Sequence, residues 1–215
     1  MEKYFLLFMC YSIMGWIIEV ITGFIEKGKF INRGFLIGPY CPIYGFGGLS
    51  MTLLLTKYIN DKLILFVMSI AICSVIEYLT SYVMEKMFHT RWWDYSNKKY
   101  NINGRICLET MIPFGILGIL TLCYINPFLY SVFEKIPSSI FNVAVIILII
   151  LYILDNIISF RIIFGLEDIK LNINEDSTEK ITEQVKKIIE NGNRELYNRL
   201  ITAFPHIQIF KNHKK

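Results

Sequence analysis

Two glutamates occupy matching places in two apolar runs, and a carboxyl group in such a setting has chemistry to perform. Glu19 lies in Ile18-Glu19-x-x-Thr22-x-Phe24 and Glu77 in Ile76-Glu77-x-x-Thr80-x-Tyr82. A carboxylate inside a bilayer costs roughly 2.5–3.5 kcal/mol on insertion scales, so it needs a partner, water or a proton. Two readings follow, and the residues alone leave both open. One is a structural ion pair, with Arg33 or Arg105 reaching in. The other is a polar cavity that binds a cation or a proton. Glu109 adds a third acid, four residues after Arg105 and within its reach along a helix. Asp155, with Asn156 and Ser159 beside it, repeats the question in the last apolar run.

A second chemical feature is the run from Gly34 to Gly48, which holds two prolines and several glycines. Pro39 and Pro42 remove two backbone donors and disfavour helical geometry in the residues before them. Backbone groups freed in this way inside a membrane must be satisfied by protein or water. The expectation is a broken helix lining a cavity, with Pro39, Tyr40, Pro42 and Tyr44 at the break and a half-helix starting near Pro42. The alternative is a kink with close glycine packing.

The run His89 to Ser96 brings Arg91, Trp92, Trp93, Asp94 and Tyr95 together. Tryptophan and tyrosine anchor at membrane interfaces and arginine can extend to the headgroups, so this loop is expected at the interface. His89 with Asp94 is too loose a pairing for an acid–base dyad, and no GxSxG setting is present. The five cysteines are scattered through apolar segments and read as small hydrophobes. No metal site and no cofactor is expected, and a net charge of +4 gives no reason to expect nucleic acid.

These residues need elements that hold them in a bilayer. Of the 215 residues, 54% are apolar and only 19% charged, too little polar surface for a soluble domain of this size. Apolar runs near 4–25, 63–84, 106–125 and 140–160 are long enough to span about 30 Å as helices, and 36–56 is a Gly/Pro-interrupted fifth. The expected fold is all-α: a polytopic transmembrane helix bundle of about five spans over residues 1–162, then a soluble helical tail over 163–215. The first run is too long for a signal peptide and lacks a cleavage site, so it is expected to remain in the mature chain. Positive residues favour the side holding Lys27, Lys29, Arg33, Lys86, Arg91, Lys98, Lys99, Arg105 and Arg161 over the side holding Lys3, Lys57, Lys62 and Lys135. That places the N-terminus outside and the tail in the cytoplasm of a multi-pass cell-membrane protein, an assignment that inverts if 34–55 only re-enters. In the tail, Asp176 with Glu179 reads as a cap, Ile181, Val185, Ile188 and Ile189 as a stripe, and 194–203 as a second short helix. Such helices can lie on the membrane, dock on the protein's own cytoplasmic face or bind a partner.

The first and third spans also resemble each other. Ser12, Gly15, Glu19, Thr22 and Gly23 fall on one helical face, as do Ser69, Cys73, Glu77, Thr80 and Ser81. Small and weakly polar faces of this kind point into a bundle. An internal repeat and a chance likeness of short strings both remain open.

Several longer strings are more specific. Gly15-Trp16-x-x-Glu19, Asn32-Arg33-Gly34-Phe35-Leu36-x-Gly38-Pro39-Tyr40-Cys41-Pro42-Ile43-Tyr44-Gly45, Glu77-Tyr78, Arg91-Trp92-Trp93-Asp94-Tyr95-Ser96 and Asn103-Gly104-Arg105-Ile106 occur in that order. Over roughly residues 4–160 the chain resembles the bacterial ABC-transporter type IV family of CmpB-like permeases. The resemblance implies the membrane component of a transporter. The sequence has no GxxxxGK[ST] phosphate loop, so such a permease would need a separate ATPase subunit; a homo-oligomer is the other expected assembly. The paths left open beside transport are an accessory, scaffold or sensor subunit, and an interfacial lipid-modifying enzyme using Arg33, Arg91, Asp94 and Glu109.

Overall fold

Only glycine and proline oppose helix formation in the long apolar runs, and their positions set where the helices begin and bend. The computed structural model describes residues 2–28, 30, 32, 34–88, 91–173 and 199, with side chains in the last helix through 162. Helix α1 covers Glu2–Lys27 and α2 covers Pro42–Leu55, followed by a 3-10 turn at Thr56–Tyr58. Helix α3 covers Lys62–Phe88. A two-stranded hairpin, β1 (Asn101–Ile102) and β2 (Ile106–Cys107), leads into α4, Leu108–Leu120. A π-helical turn, Thr121–Ile125, joins α4 to α5, Asn126–Lys135, and α6 covers Ser138–Ile173. Four stretches, Glu2–Lys27, Lys62–Phe88, Leu108–Lys135 and Ser138–Ile162, are long and apolar enough to cross a membrane. The fold is an all-α polytopic bundle with one broken segment.

Local chemistry explains the departures from straight helices. Pro127 has no N–H and its ring opposes the carbonyl of Cys123, so the ladder is already interrupted where the wider π turn forms. Asn103 and Gly104 both have positive φ (53° and 68°) and pair Ile102 with Ile106. Three residues, Asn103, Gly104 and Arg105, connect that pair, with the Arg105 N–H donating to the Ile102 carbonyl (3.0 Å), and an Asn-Gly pair supplies the positive φ such a tight turn needs. The fourth crossing therefore begins at Leu108 rather than Ile106, because Ile106 and Cys107 belong to the hairpin, and it runs on past residue 125 to Lys135.

The expected second span is the largest departure from regular helix. Its helical part has 14 residues, about 21 Å at 1.5 Å per residue, short of a hydrocarbon core of about 30 Å. Bends at 35–39 and the extended Cys41 precede it. Trp16 Nε1 donates to Asn32 Oδ1 (2.7 Å), Cys41 N–H donates to the Ser12 carbonyl (2.8 Å), and Gly48 packs on Tyr11. Asn32 and residues 34–48 thus climb α1 from its middle toward its N-terminal end, first as irregular chain and then as helix.

The remaining elements follow in alternating directions. Lys62 Nζ reaches Cys123 Sγ (2.8 Å) and Arg105 Nη1 reaches Ser81 Oγ (3.4 Å), so α3 and α4 are antiparallel. Phe141 and Val145 of α6 pack with Leu6, Leu7, Tyr11 and Phe133 at one end of the bundle. Phe88, Trp92 and Ile162, with Phe35 and Phe160, close the other. The start of α1 and residue 162 of α6 therefore sit at opposite ends. Close approach within each hairpin requires glycine. A Cβ on Gly45 would strike Ser12 Oγ and the Phe8 ring, and one on Gly118 would strike Ser69. Outward faces carry Ile17, Ile21, Val67, Leu79, Ile146 and Ile150, all exposed, as lipid-facing positions should be.

Candidate functional site

Glu19 and Glu77 lie on different helices, yet the fold gives them the same surroundings. Each faces the first turn of the helix that follows its own. Helix α2 opens after Cys41 in extended conformation, with Pro42 first and Tyr44 third; the Tyr44 hydroxyl donates to Glu19 Oε1 at 2.7 Å. Helix α4 opens after Cys107, also extended, with Thr110 third and standing beside Glu77. The Thr110 hydroxyl is engaged with the Cys107 carbonyl at 2.9 Å. Glu77 instead takes its donor from the connecting loop, where the Tyr95 hydroxyl reaches Oε1 at 3.2 Å. The other oxygen, Oε2, is buried and has no hydrogen-bond partner, and the residue is only 7% exposed.

The two halves form one centre. Tyr95 lies within electrostatic reach of both Glu77 and Glu19, Tyr44 within reach of Tyr95, and the two carboxyl groups within reach of each other. Burial first, and then the Glu77 carboxylate, holds the Tyr95 phenol far above its ordinary range, so it remains a donor. The positive ends of α2 and α4 both point here, which favours ionised carboxyl groups. Burial opposes that charge. A group under two such opposed influences, with one oxygen unpartnered, can accept a proton or a cation.

Asp155 has a different task. Its carboxylate accepts the backbone N–H groups of Ile37 (2.9 Å) and Gly38 (2.7 Å), the Tyr40 hydroxyl (2.5 Å) and the Ser159 hydroxyl (2.9 Å). It pins the broken segment around Pro39 to α6, supplying acceptors that the bends deny to their own backbone. From the other side, Asn32 Nδ2 donates to the Ile37 carbonyl (3.1 Å).

Arg105 and Glu109 do not pair. Their separation of four would matter only on a helix, and Arg105 sits in the hairpin ahead of α4. Its guanidinium turns to Glu85 (2.5 Å) and lies over the rings of Tyr78 and Tyr82. Glu109 is exposed and pairs with Lys98 at 2.7 Å, away from the acid centre; that bond holds the Lys98 ammonium above its ordinary range. The aromatic loop folds down onto the bundle. Trp92 is buried among Phe35, Phe88 and Ile162, and Trp93 Nε1 donates to the Arg105 carbonyl (3.0 Å). Arg91 bridges Glu85 (3.2 Å) and Asp94 (3.5 Å), while Asp94 also accepts from Ser96. Arg91 and Asp94 therefore pair with each other as well as with Glu85 and Ser96, while Glu109 pairs with Lys98 instead. Arg33 and His89, and the tail beyond Ile173 apart from Arg199, lie outside the described residues. Among these side chains Tyr95 is the one whose role the sequence concealed. Its aromatic neighbours suggested an interface anchor, and only the loop's fold turns it inward. No group of three or more metal-ligating side chains occurs among the described residues.

No curated relative and no solved structure matches the chain. The profile of one family, described as "Putative ABC-transporter type IV", matches residues 6–160, a stretch that holds nearly all of the four long apolar helices, the broken segment and the acid centre. The chain is a multi-pass membrane protein that belongs to this family.

Proposed function

We propose that this protein is the membrane-embedded permease component of a transporter, powered by a separate ATPase subunit, with its pathway at the Glu19–Tyr44–Tyr95–Glu77 centre. The carrying observation is the buried Oε2 of Glu77, without a hydrogen-bond partner beside a second carboxyl group. A purely structural acid would have both oxygens engaged, as Asp155 has. Intramembrane ionisable groups facing a bundle interior mark ion and proton paths. Family membership supports the transport setting, and the missing phosphate loop supports an external source of energy. The end carrying Arg91, Lys98, Lys99 and Arg105 is assigned to the cytoplasm by its positive charge, which makes the hairpin and the 91–107 loop the surface available to an ATPase.

The test is purification of the tagged protein from its native membrane in mild detergent, with mass spectrometry of what accompanies it. A stoichiometric ATPase subunit is expected. Recovery of the chain alone, or only as a homo-oligomer, would overturn the ATPase-coupled reading.

A further inference from the structure

The backbone of residues 34–38 is unusual in which way its polar groups face. The N–H groups of Ile37 and Gly38 are directed at Asp155, while three consecutive carbonyls, those of Gly34, Phe35 and Leu36, converge on one side chain. That side chain is Arg199. Its Nη1 donates to the Leu36 carbonyl at 2.6 Å and the Gly34 carbonyl at 3.4 Å, and Nη2 donates to the Phe35 carbonyl at 3.3 Å. Three carbonyl dipoles aimed at one point repel one another and create negative potential. Such an arrangement needs donors to offset it and is most favourable around a positive charge, the principle by which carbonyl rings hold cations in selectivity filters. Asp155 adds its own negative charge within electrostatic reach of the guanidinium.

We propose that the carbonyls of Gly34, Phe35 and Leu36 form a binding site for guanidinium-class cations, and that Arg199 is its tethered, exchangeable occupant. A guanidinium suits the site better than an ammonium because its planar fork spans several acceptors at once and stays charged when desolvated. The fit is incomplete: Arg199 Nε is buried without a partner. An occupant with an unsatisfied donor is held less firmly than one fully engaged, which allows a free guanidinium compound or release of the tail to empty the site. The site lies on the segment that leads directly into α2, so its occupancy bears on the break itself. This inference does not rest on the transport reading, because its test measures binding and stability rather than flux.

The experiment uses the full-length protein in detergent, with guanidinium chloride at low millimolar concentration as the probe and sodium chloride at equal ionic strength as the control. Arg199→Ala is expected to lower Tm, and guanidinium is expected to restore much of that loss in a saturable way, as ligand binding to the folded state requires. Wild-type protein, its site already filled, is expected to gain nothing over the sodium control. Arg199→Lys is expected to fall between the two, since an ammonium cannot span all three carbonyls. An unchanged Tm in Arg199→Ala would overturn the proposal. So would a lowered Tm that guanidinium fails to raise, or an equal gain in wild type. An Arg199→Lys protein as stable as wild type would overturn the guanidinium class.

Discussion

Removing the carboxylate of Asp155 should unfasten the broken segment, and the size of the loss follows from its four donors. Asp155→Ala takes the acceptor from two backbone N–H groups, one tyrosine hydroxyl and one serine hydroxyl. The N–H groups sit in bends with no helical ladder to fall back on. Hydrogen bonds between membrane helices average about 0.6 kcal/mol. Bonds to a charged group reach about 1.5–3 kcal/mol, and leaving a buried donor unpaired carries a similar penalty. The loss therefore lies between about 2 and 6 kcal/mol. At about 2–4 °C per kcal/mol for a chain of this size, Tm should fall by roughly 5–20 °C. Asp155→Asn keeps one acceptor oxygen and should lose about half as much. Thermal unfolding followed with a thiol-reactive dye suits this protein, since Cys41, Cys73 and Cys107 are free and buried in the folded state. If Asp155→Asn and Asp155→Ala both melt within about 2 °C of wild type, the carboxylate does not hold the segment and the reasoning fails.

Other expectations are equally direct. Glu77→Gln should leave Tm nearly unchanged while lowering proton entry into proteoliposomes loaded with a pH-sensitive dye by at least about tenfold; normal flux, or a protein that no longer folds, would favour a structural acid. Gly45→Ala should destabilise by about 1–3 kcal/mol because the methyl group has no space beside Ser12 and Phe8, whereas Gly47→Ala, with only Cys73 Sγ at 3.6 Å, should melt like wild type. Arg105→Lys should lower Tm because an ammonium loses the stacking on Tyr78 and Tyr82 even if it keeps Glu85, and an unchanged melting curve would assign those rings no part in holding it. A reporter fused after residue 173 should be active only if it functions in the cytoplasm, and the opposite result would reverse the assigned orientation.

Much of this arrangement was legible in the residues. Hydropathy and length locate the long helices; Ser12, Gly15 and Gly23 on the Glu19 face and Ser69, Cys73 and Ser81 on the Glu77 face are buried, whereas Thr22 is exposed. The two prolines place the break, and the half-helix starts at Pro42. What the sequence hid depends on the path of irregular chain. The Asn103-Gly104 turn is a strong hairpin signal, but it stands at the mouth of an apolar run and reads as the start of a span. Arg105 and Glu109 have helical spacing without a helix beneath both. Tyr95 and Asp155 take their roles from partners 18 and 117 residues away, and local periodicity carries no information about such pairings.

The fastening of the broken segment also sets an order of events during synthesis. Gly38 emerges from the ribosome 117 residues before Asp155, and Leu36 emerges 163 residues before Arg199. At roughly 5–20 residues per second the first interval lasts roughly 6–25 s. Through that time the N–H groups of Ile37 and Gly38 have no carboxylate to receive them, so the broken segment cannot be fastened when it is made. It has to wait, sheltered by the insertion machinery or by lipid headgroups, until the last helix arrives. Chains arrested before residue 155 should therefore be recognised as incomplete and degraded, even though three of the four long apolar helices have already been synthesised.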